Sequence, residues 1–408
     1  MNRCARLLAL ILVLSAPSVR AQTELLDQLS DRLRWSTANG LFQTQLSGLF
    51  DLEGYWIDQH PPGLIFGGSS DFANPRLWLF LDTRLGNHLY SFVEVRADRG
   101  FDPREEGASA RVDEYLLRYT PFDDARLNFQ IGKFSTLFGN WAARYDSWEN
   151  PLINAPLPYE NVTIAADSNV AATPADFLSR RNVHDKKHDW LPIVWGPSDT
   201  SGAAAFGESS RIEYGIELAN ASLASRPSTW DFRHHGWDHP TITGRLGWHP
   251  QAAWTLGVSS STGSYLSSAA SANLPPGKHI GDFDHTVIGA DAAYSWRHWQ
   301  VWGEFFASRF EVPNVENADC IAYYLEIKYK LTPEFFVAMR WNEQFFSKVD
   351  NGSGREIPWD RDIWRIDSVL GYRFDRHLQA KLQYGLGRQR GRLQQGEQLV
   401  ATQVTVRF

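Results

Sequence analysis

Hydrophobic and polar residues alternate along most of this chain with a period of two. In Phe42–Trp56, Phe42, Leu46, Phe50, Leu52 and Trp56 share one parity, while Gln43, Gln45, Asp51 and Glu53 share the other. An extended strand with that pattern has an apolar face and a polar one. The same reading gives strands at 75–85 and 89–99 joined by Gly86-Asn87-His88, at 111–120 and 126–135 joined by Pro121–Ala125, and at 201–207 and 211–222 joined by Glu208-Ser209-Ser210. Residues 239–248 and 252–262 meet at His249-Pro250-Gln251, 283–296 and 299–310 at Arg297-His298, 319–331 and 334–347 at Thr332-Pro333, and 361–374 and 377–390 at Asp375-Arg376. The last stretch, Glu397–Phe408, sets Val400, Thr402, Val404, Val406 and Phe408 against Gln403, Thr405 and Arg407. Sixteen strands are predicted in all.

Their connections also alternate. Short turns follow every even strand and longer segments every odd one, the order required of a barrel that crosses a membrane with both termini on the inner side. Charged residues on the apolar parity are Arg111, Asp113, Lys133, Arg309, Asp319, Asp362 and Arg388, all toward the ends assigned to the outer surface. At the opposite ends stand Tyr119, Trp248, Trp296, Trp299, Tyr329, Phe335, Tyr372, Phe374 and Phe408, an expected aromatic girdle at the inner interface. The fold class predicted is all-β, a 16-stranded antiparallel transmembrane barrel over 41–408, closed by pairing the last strand with the first.

The first residues change the picture only at the N-terminus. A basic start with Arg3 and Arg6, an apolar run Leu7–Leu14 and small residues around Val19-Arg20-Ala21 have the layout of a signal peptide over 1–21. Residues 22–40 are expected to form an N-terminal periplasmic segment, where Leu25, Leu26, Leu29 and Leu33 suggest a short helix over 24–34. Composition agrees with a barrel: 13 % aromatics including 17 Trp coexist with a mean hydropathy of −0.37, because lipid-facing aromatics average out against polar lumen residues. The formal net charge of −7 makes nucleic acid a poor partner. A signal peptide removes Cys4 and leaves Cys320 alone, so no internal disulfide is expected.

The fifth strand runs into about sixty residues, from Thr136 to roughly Thr200, and a structureless loop of that length usually has a function. The economical expectation is a third loop folded into the lumen. Here Asp113–Tyr119, Phe129–Gly139 and the turn from Phe206 to Tyr214 resemble the phosphate-selective porin O and P family. The resemblance implies a homotrimeric outer-membrane channel whose third loop narrows the pore. The chain departs from the family in having Leu137 where a proline is common before Phe138-Gly139, and its third loop is longer.

Read from the inward parity alone, Lys328, Lys330, Arg340, Arg365, Arg373, Lys381 and Arg407 outnumber Glu326, Glu334 and Asp367, so the wall formed by the last strands is predicted to be basic. The first strands are nearly balanced, with Arg76, Arg84, Arg96, Arg118 and Arg126 against Asp51, Glu53, Asp82, Glu94, Asp98 and Glu114. Arg144, Asp146, Glu149, Glu160, Asp167 and Asp176 of the long loop are the candidate constriction residues, giving an expected transverse field. The loop's other cations, Arg180, Arg181, Lys186 and Lys187, are too few to predict strict phosphate selectivity.

Candidate chemistry adds little. His184 and His188 lie four apart beside Lys186 and Lys187, which oppose a metal, and His234, His235 and His239 fall in a predicted outer loop. No nucleophile elbow, phosphate loop or His-Glu-x-x-His motif occurs. No catalytic, metal or cofactor site is therefore expected. The leading expectation is a porin of the bacterial outer membrane, in contact with membrane lipid. It would pass small hydrophilic solutes by passive diffusion, with mild anion preference, phosphate included. An outer-membrane barrel hydrolase and a secreted β-rich binding protein are the alternatives.

Overall fold

A computed structural model describes residues 18–408 apart from 59–62, 66–70, 101, 103–106, 184–188, 234 and 392–396. Sixteen long antiparallel strands close into one ring. They are β1 (Phe42–Ile57), β2 (Asp71–Leu85), β3 (Leu89–Asp98), β4 (Ser109–Tyr119), β5 (Asn128–Phe134), β6 (Thr200–Ser209), β7 (Ile212–Ala219), β8 (Thr241–Trp248), β9 (Trp254–Ser264), β10 (Asp284–Trp296), β11 (Trp299–Phe310), β12 (Ala318–Lys330), β13 (Phe335–Phe346), β14 (Ile363–Arg373), β15 (Leu378–Gln389) and β16 (Glu397–Arg407). Each pairs with its neighbour in sequence, and β16 returns to β1 with Val400 opposite Trp56, Val404 opposite Leu52 and Val406 opposite Phe50. Reciprocal backbone bonds between Gly48 and Phe408, both 3.0 Å, extend the seam to the last residue. Each of the sixteen strands thus has a paired neighbour on both sides, which is how a sheet satisfies its backbone without water.

Side chains follow the alternation. Leu325, Met339, Leu370, Leu382 and Tyr384 are exposed on the outer wall, while Glu326, Arg340, Asp367, Lys381 and Gln383 are buried on the inner one. Tyr119, Trp248, Trp296, Trp299 and Tyr372 remain exposed beside the short turns, as a girdle requires. Arg309 and Asp319 are direct cross-strand partners that bond at 2.7 and 2.9 Å on the outside, so the two charges neutralise one another.

Three expectations at the outer ends change, for Arg111, Asp113 and Lys133; Arg111 lies opposite the inward Arg96 and bonds Asp98 at 2.6 Å. A register shift between Glu94 and Val95 pairs Glu94 with Glu114 but Val95 with Val112, leaving Asp113 as the extra residue of a bulge. Asp113 is consequently buried and paired with Arg111 (2.8 Å), not set against lipid, and Val112 takes the exposed position. Lys133 is likewise buried, donating to Asp231 (3.1 Å) and to the Val112 carbonyl (3.3 Å).

The predicted short helix over 24–34 lies earlier and runs longer, as α1 (Ser18–Arg32). It docks on the turn between β14 and β15: Thr23 donates to Asp375 (2.7 Å) and Asp27 pairs with His377 (2.7 Å) and Arg376. A three-residue strand, Arg34–Ser36, then pairs with β1. Residues 1–17 of the expected signal peptide lie outside the described residues. No described helix is long and apolar enough to cross a membrane, which says nothing of the strands.

Candidate functional site

The segment between β5 and β6, here L3, is clamped mainly by side chains on the inward parity of β11–β15, with further contacts to Trp78 and Glu94 on the opposite wall. Its residues are largely apolar and small-turned: Ala142–Arg144, Leu157–Glu160 and Pro174–Ser179 form single helical turns, with Pro158 and Pro174 where a helix start tolerates proline. Thr173 caps the last of these by accepting the Asp176 amide at 3.1 Å. Phe138, Trp141, Tyr159, Phe177, Trp190 and Trp195 pack in one buried cluster with Phe306, Phe310 and Tyr324 of the wall. Burial of each such residue contributes roughly 1.5–3 kcal/mol, enough together to hold a long loop inside a polar barrel.

Polar clamps fix the loop's register. Glu304 on β11 accepts the Trp141 amide (2.8 Å) and the Tyr159 hydroxyl (2.6 Å). Arg144 donates to Glu326 at 2.6 Å. Lys381 donates to the carbonyls of Ser147 and Asn150, both 2.6 Å, and Gln383 exchanges bonds with Ile153 (2.7 Å) and Asn154 (2.6 Å). Arg340 donates to Asn154 Oδ1 (2.7 Å), the Ala155 carbonyl (2.9 Å) and Asp367 (3.1 Å), while Arg365 bonds Glu160 and Asp367. Arg340 and Asp367 are both 0 % exposed. Burial pushes the Tyr159 hydroxyl well up, with Glu304 adding to it, and burial also raises the Asp146 carboxyl against the amides that bond it.

This arrangement divides the predicted basic wall. Arg340, Arg365 and Lys381 hold L3 and do not face open lumen. Lys328 is buried with its ammonium 4.5 Å from the Phe336 ring centre. Toward the periplasmic end Lys330 and Arg407 are exposed and Arg373 is half-buried; Arg373 and Arg407 flank Trp148 of L3 at 4.6 and 5.6 Å. Among the loop candidates, Arg144 and Glu160 are clamp residues, and Asp146 caps its own turn by accepting Trp148 and Glu149 amides. Glu149 is exposed, Asp167 pairs with Arg226 (3.6 Å), and Asp176 accepts the Ala172 amide at 3.0 Å. Part of the charge expected to set up a field is thus taken up in ion pairs inside the packing, at Arg144–Glu326 and Arg365–Glu160. Lys186, Lys187, His184, His188 and His234 lie outside the described residues. Among the described residues no cluster of three or more His, Cys, Asp or Glu is placed to hold a metal.

Open space lies on the other side of L3, against β1–β3. A cavity of about 140 Å³ is bounded there by Asn74, Arg76, Trp78 and Arg96 of the wall, and by Tyr145 and Asn154 of the loop. Arg76 pairs with Glu53 and Asp51, Arg96 with Asp98 (2.6 Å), and the Arg96 guanidinium lies 4.0 Å over the Trp78 ring. Sequence reading placed Arg76 and Arg96 inward, but nothing in it indicated that this balanced wall would border the space. Glu304, Asn342 and Gln383 escaped notice because a single inward carboxylate or amide resembles any water-facing lumen residue. The inward Phe306 and Phe310 were the available signal that part of the lumen is dry.

A closed sixteen-stranded barrel, apolar outside with an aromatic girdle, is an outer-membrane barrel of porin architecture. Solved structures agree with this. The anion-selective porin from Comamonas acidovorans is similar over 90 % of this chain and 100 % of its own at TM-score 0.57 and 10 % identity. The outer membrane channel DcaP of Acinetobacter baumannii matches at TM-score 0.55 and 12 % identity over 92 and 99 % of the two chains. OmpT of Vibrio cholerae matches at 0.56 and 9 % over 92 and 100 %. At these identities the likeness concerns the fold alone. No family model and no curated protein matches the sequence.

Proposed function

We propose that the protein is a passive channel through which small hydrophilic solutes cross the bacterial outer membrane down their gradients. The observation that carries this reading is the open space between L3 and β1–β3 inside a closed, outwardly apolar ring. L3 sets the size limit, because its clamps fill the β11–β15 side, while the space bordered by Arg76, Trp78 and Arg96 lies on the other. That wall is charge-balanced, so selectivity is weak. Lys330, Arg373 and Arg407 at the periplasmic mouth supply a mild anion preference, phosphate included. Strict phosphate selectivity has no support, since Arg144 is tied to Glu326 and Arg180 bonds the Ile164 and Asn169 carbonyls. A homotrimer belongs to the same reading; one OmpT structure is in trimer form. Planar-bilayer recording tests the channel: stepwise ohmic conductance is expected, and a protein that inserts without any steps refutes it.

A further inference from the structure

The outer wall carries an arginine, Arg388, that no described residue of its own barrel hydrogen-bonds or pairs with. Glu343 on β13, Trp364 on β14 and Arg388 on β15 stand abreast, each the direct cross-strand partner of the next, and Tyr323 on β12 completes the rung. All four belong to the outward parity. The rung lies near the outer ends of these strands, because β14 and β15 are joined at the opposite end.

The neighbours of Arg388 are already engaged. The Tyr323 hydroxyl bonds the Glu343 carboxylate, and Trp364 lies flat on Trp341 with ring centres 5.8 Å apart and planes at 1°. Asp362 accepts the Phe346 amide (3.1 Å) and the Arg390 guanidinium (3.3 Å). Arg388 has no hydrogen-bond or ion-pair partner among the described residues. A groove of about 350 Å³ is lined by Phe345 and Trp364, by Arg388 and Arg390, and by the carboxylates of Glu343 and Asp362. Below it Ile366 and Leu370 on β14, with Ser368 between them, and Leu386, Tyr384 and Leu382 on β15 continue as a mainly apolar track.

An arginine facing lipid costs roughly 2–4 kcal/mol at mid-membrane and little near the interface, where tryptophan also prefers to lie. Arg388 beside Trp364 is therefore at headgroup depth. There its planar fork matches a phosphate, with two parallel donors for two oxygens. A ligand that uses the whole surface must carry an anion at one end and hydrocarbon at the other.

We propose that this groove binds a phosphate-bearing lipid of the outer leaflet, its phosphate on Arg388 and Arg390 and an acyl chain along Trp364, Ile366 and Leu370. The site is on the outside of the barrel and does not depend on whether the lumen conducts.

The test is native mass spectrometry of the full-length protein in detergent, titrated with diphosphoryl lipid A and with the same lipid stripped of phosphate. The wild type is expected to bind the phosphorylated form about ten-fold more tightly or better. Arg388→Gln with Arg390→Gln should remove most of that difference while single-channel conductance is unchanged, and Trp364→Leu should weaken both lipids. Inorganic phosphate at equal concentration should not displace the lipid. Equal affinity for the two lipids in the wild type overturns the proposal without reference to any variant. So does displacement by inorganic phosphate, or a double variant that keeps its lipid affinity and loses a subunit contact instead.

Discussion

Arg340 concentrates the energetics of the loop in one side chain. It is fully buried between Asp367, Asn154 and the Ala155 carbonyl. Removing it as Arg340→Ala leaves Asp367 with Arg365 as its one cation among the described residues and takes away the donor of the Asn154 carbonyl. Breaking a buried pair in this way costs about 3–5 kcal/mol, which urea unfolding in detergent should show as a lowered midpoint. Asp199, at the far end of L3, gives a pH signature. The Ser135 hydroxyl lies 2.6 Å from Glu114 and 2.8 Å from Asp199, yet has one proton to donate. Burial, and then the charge of Glu114, raise the Asp199 carboxyl well above its ordinary value. A carboxyl raised by folding contributes stability that is complete below its unfolded value and is lost as pH rises through the folded one. Amide exchange at 196–200, corrected for intrinsic rate, should therefore accelerate with pH in the wild type and lose that slope in Asp199→Asn. The inward parity of Arg340 and Arg365 was legible in the sequence. Their partners were not, because those come from a loop nearly two hundred residues away and alternation says nothing of what a lumen side chain faces.

At the scale of elements, period-two patterning located the strands because one face of each must meet hydrocarbon and the other must not. It failed where the period itself breaks. The bulge at Asp113 adds one residue to β4, so extrapolated parity put Asp113 outside and the structure puts it in. Helical spacing found Leu25, Leu26 and Leu29 but not the true start of α1, since those leucines lie only in its second half. L3 had no period to read; its packing depends on aromatics such as Trp141 and Tyr159 meeting inward phenylalanines on β11. The outer wall offers a direct check of strand orientation. Met339 is 50 % exposed at the middle of β13. Met339→Arg should cost roughly 2–4 kcal/mol in lipid refolding, whereas Arg309→Ala, near the outer interface, should cost at most about 1 kcal/mol.

For the whole molecule, closure was the legible feature: the first and last strands were expected to pair, and they do over Leu49–Ile57 and Leu399–Arg407. Which side of the lumen stays open was not legible, since it is decided by where L3 docks. That choice moves the expected selectivity determinants from Arg340 and Arg365 to the periplasmic mouth. In a salt gradient the reversal potential should show mild anion preference, lessened by Arg373→Glu with Arg407→Glu. Passage between L3 and β1–β3 is tested most directly by thiol block in planar bilayers on a Cys320→Ser background, comparing Asn74→Cys, which lines the open space, with Ser259→Cys, on the far wall where its hydroxyl meets the Gly139 amide at 3.2 Å. A bulky thiol reagent is predicted to cut the current of the Asn74→Cys channel and leave the other unchanged. Full modification at Asn74→Cys with no loss of current would contradict the account.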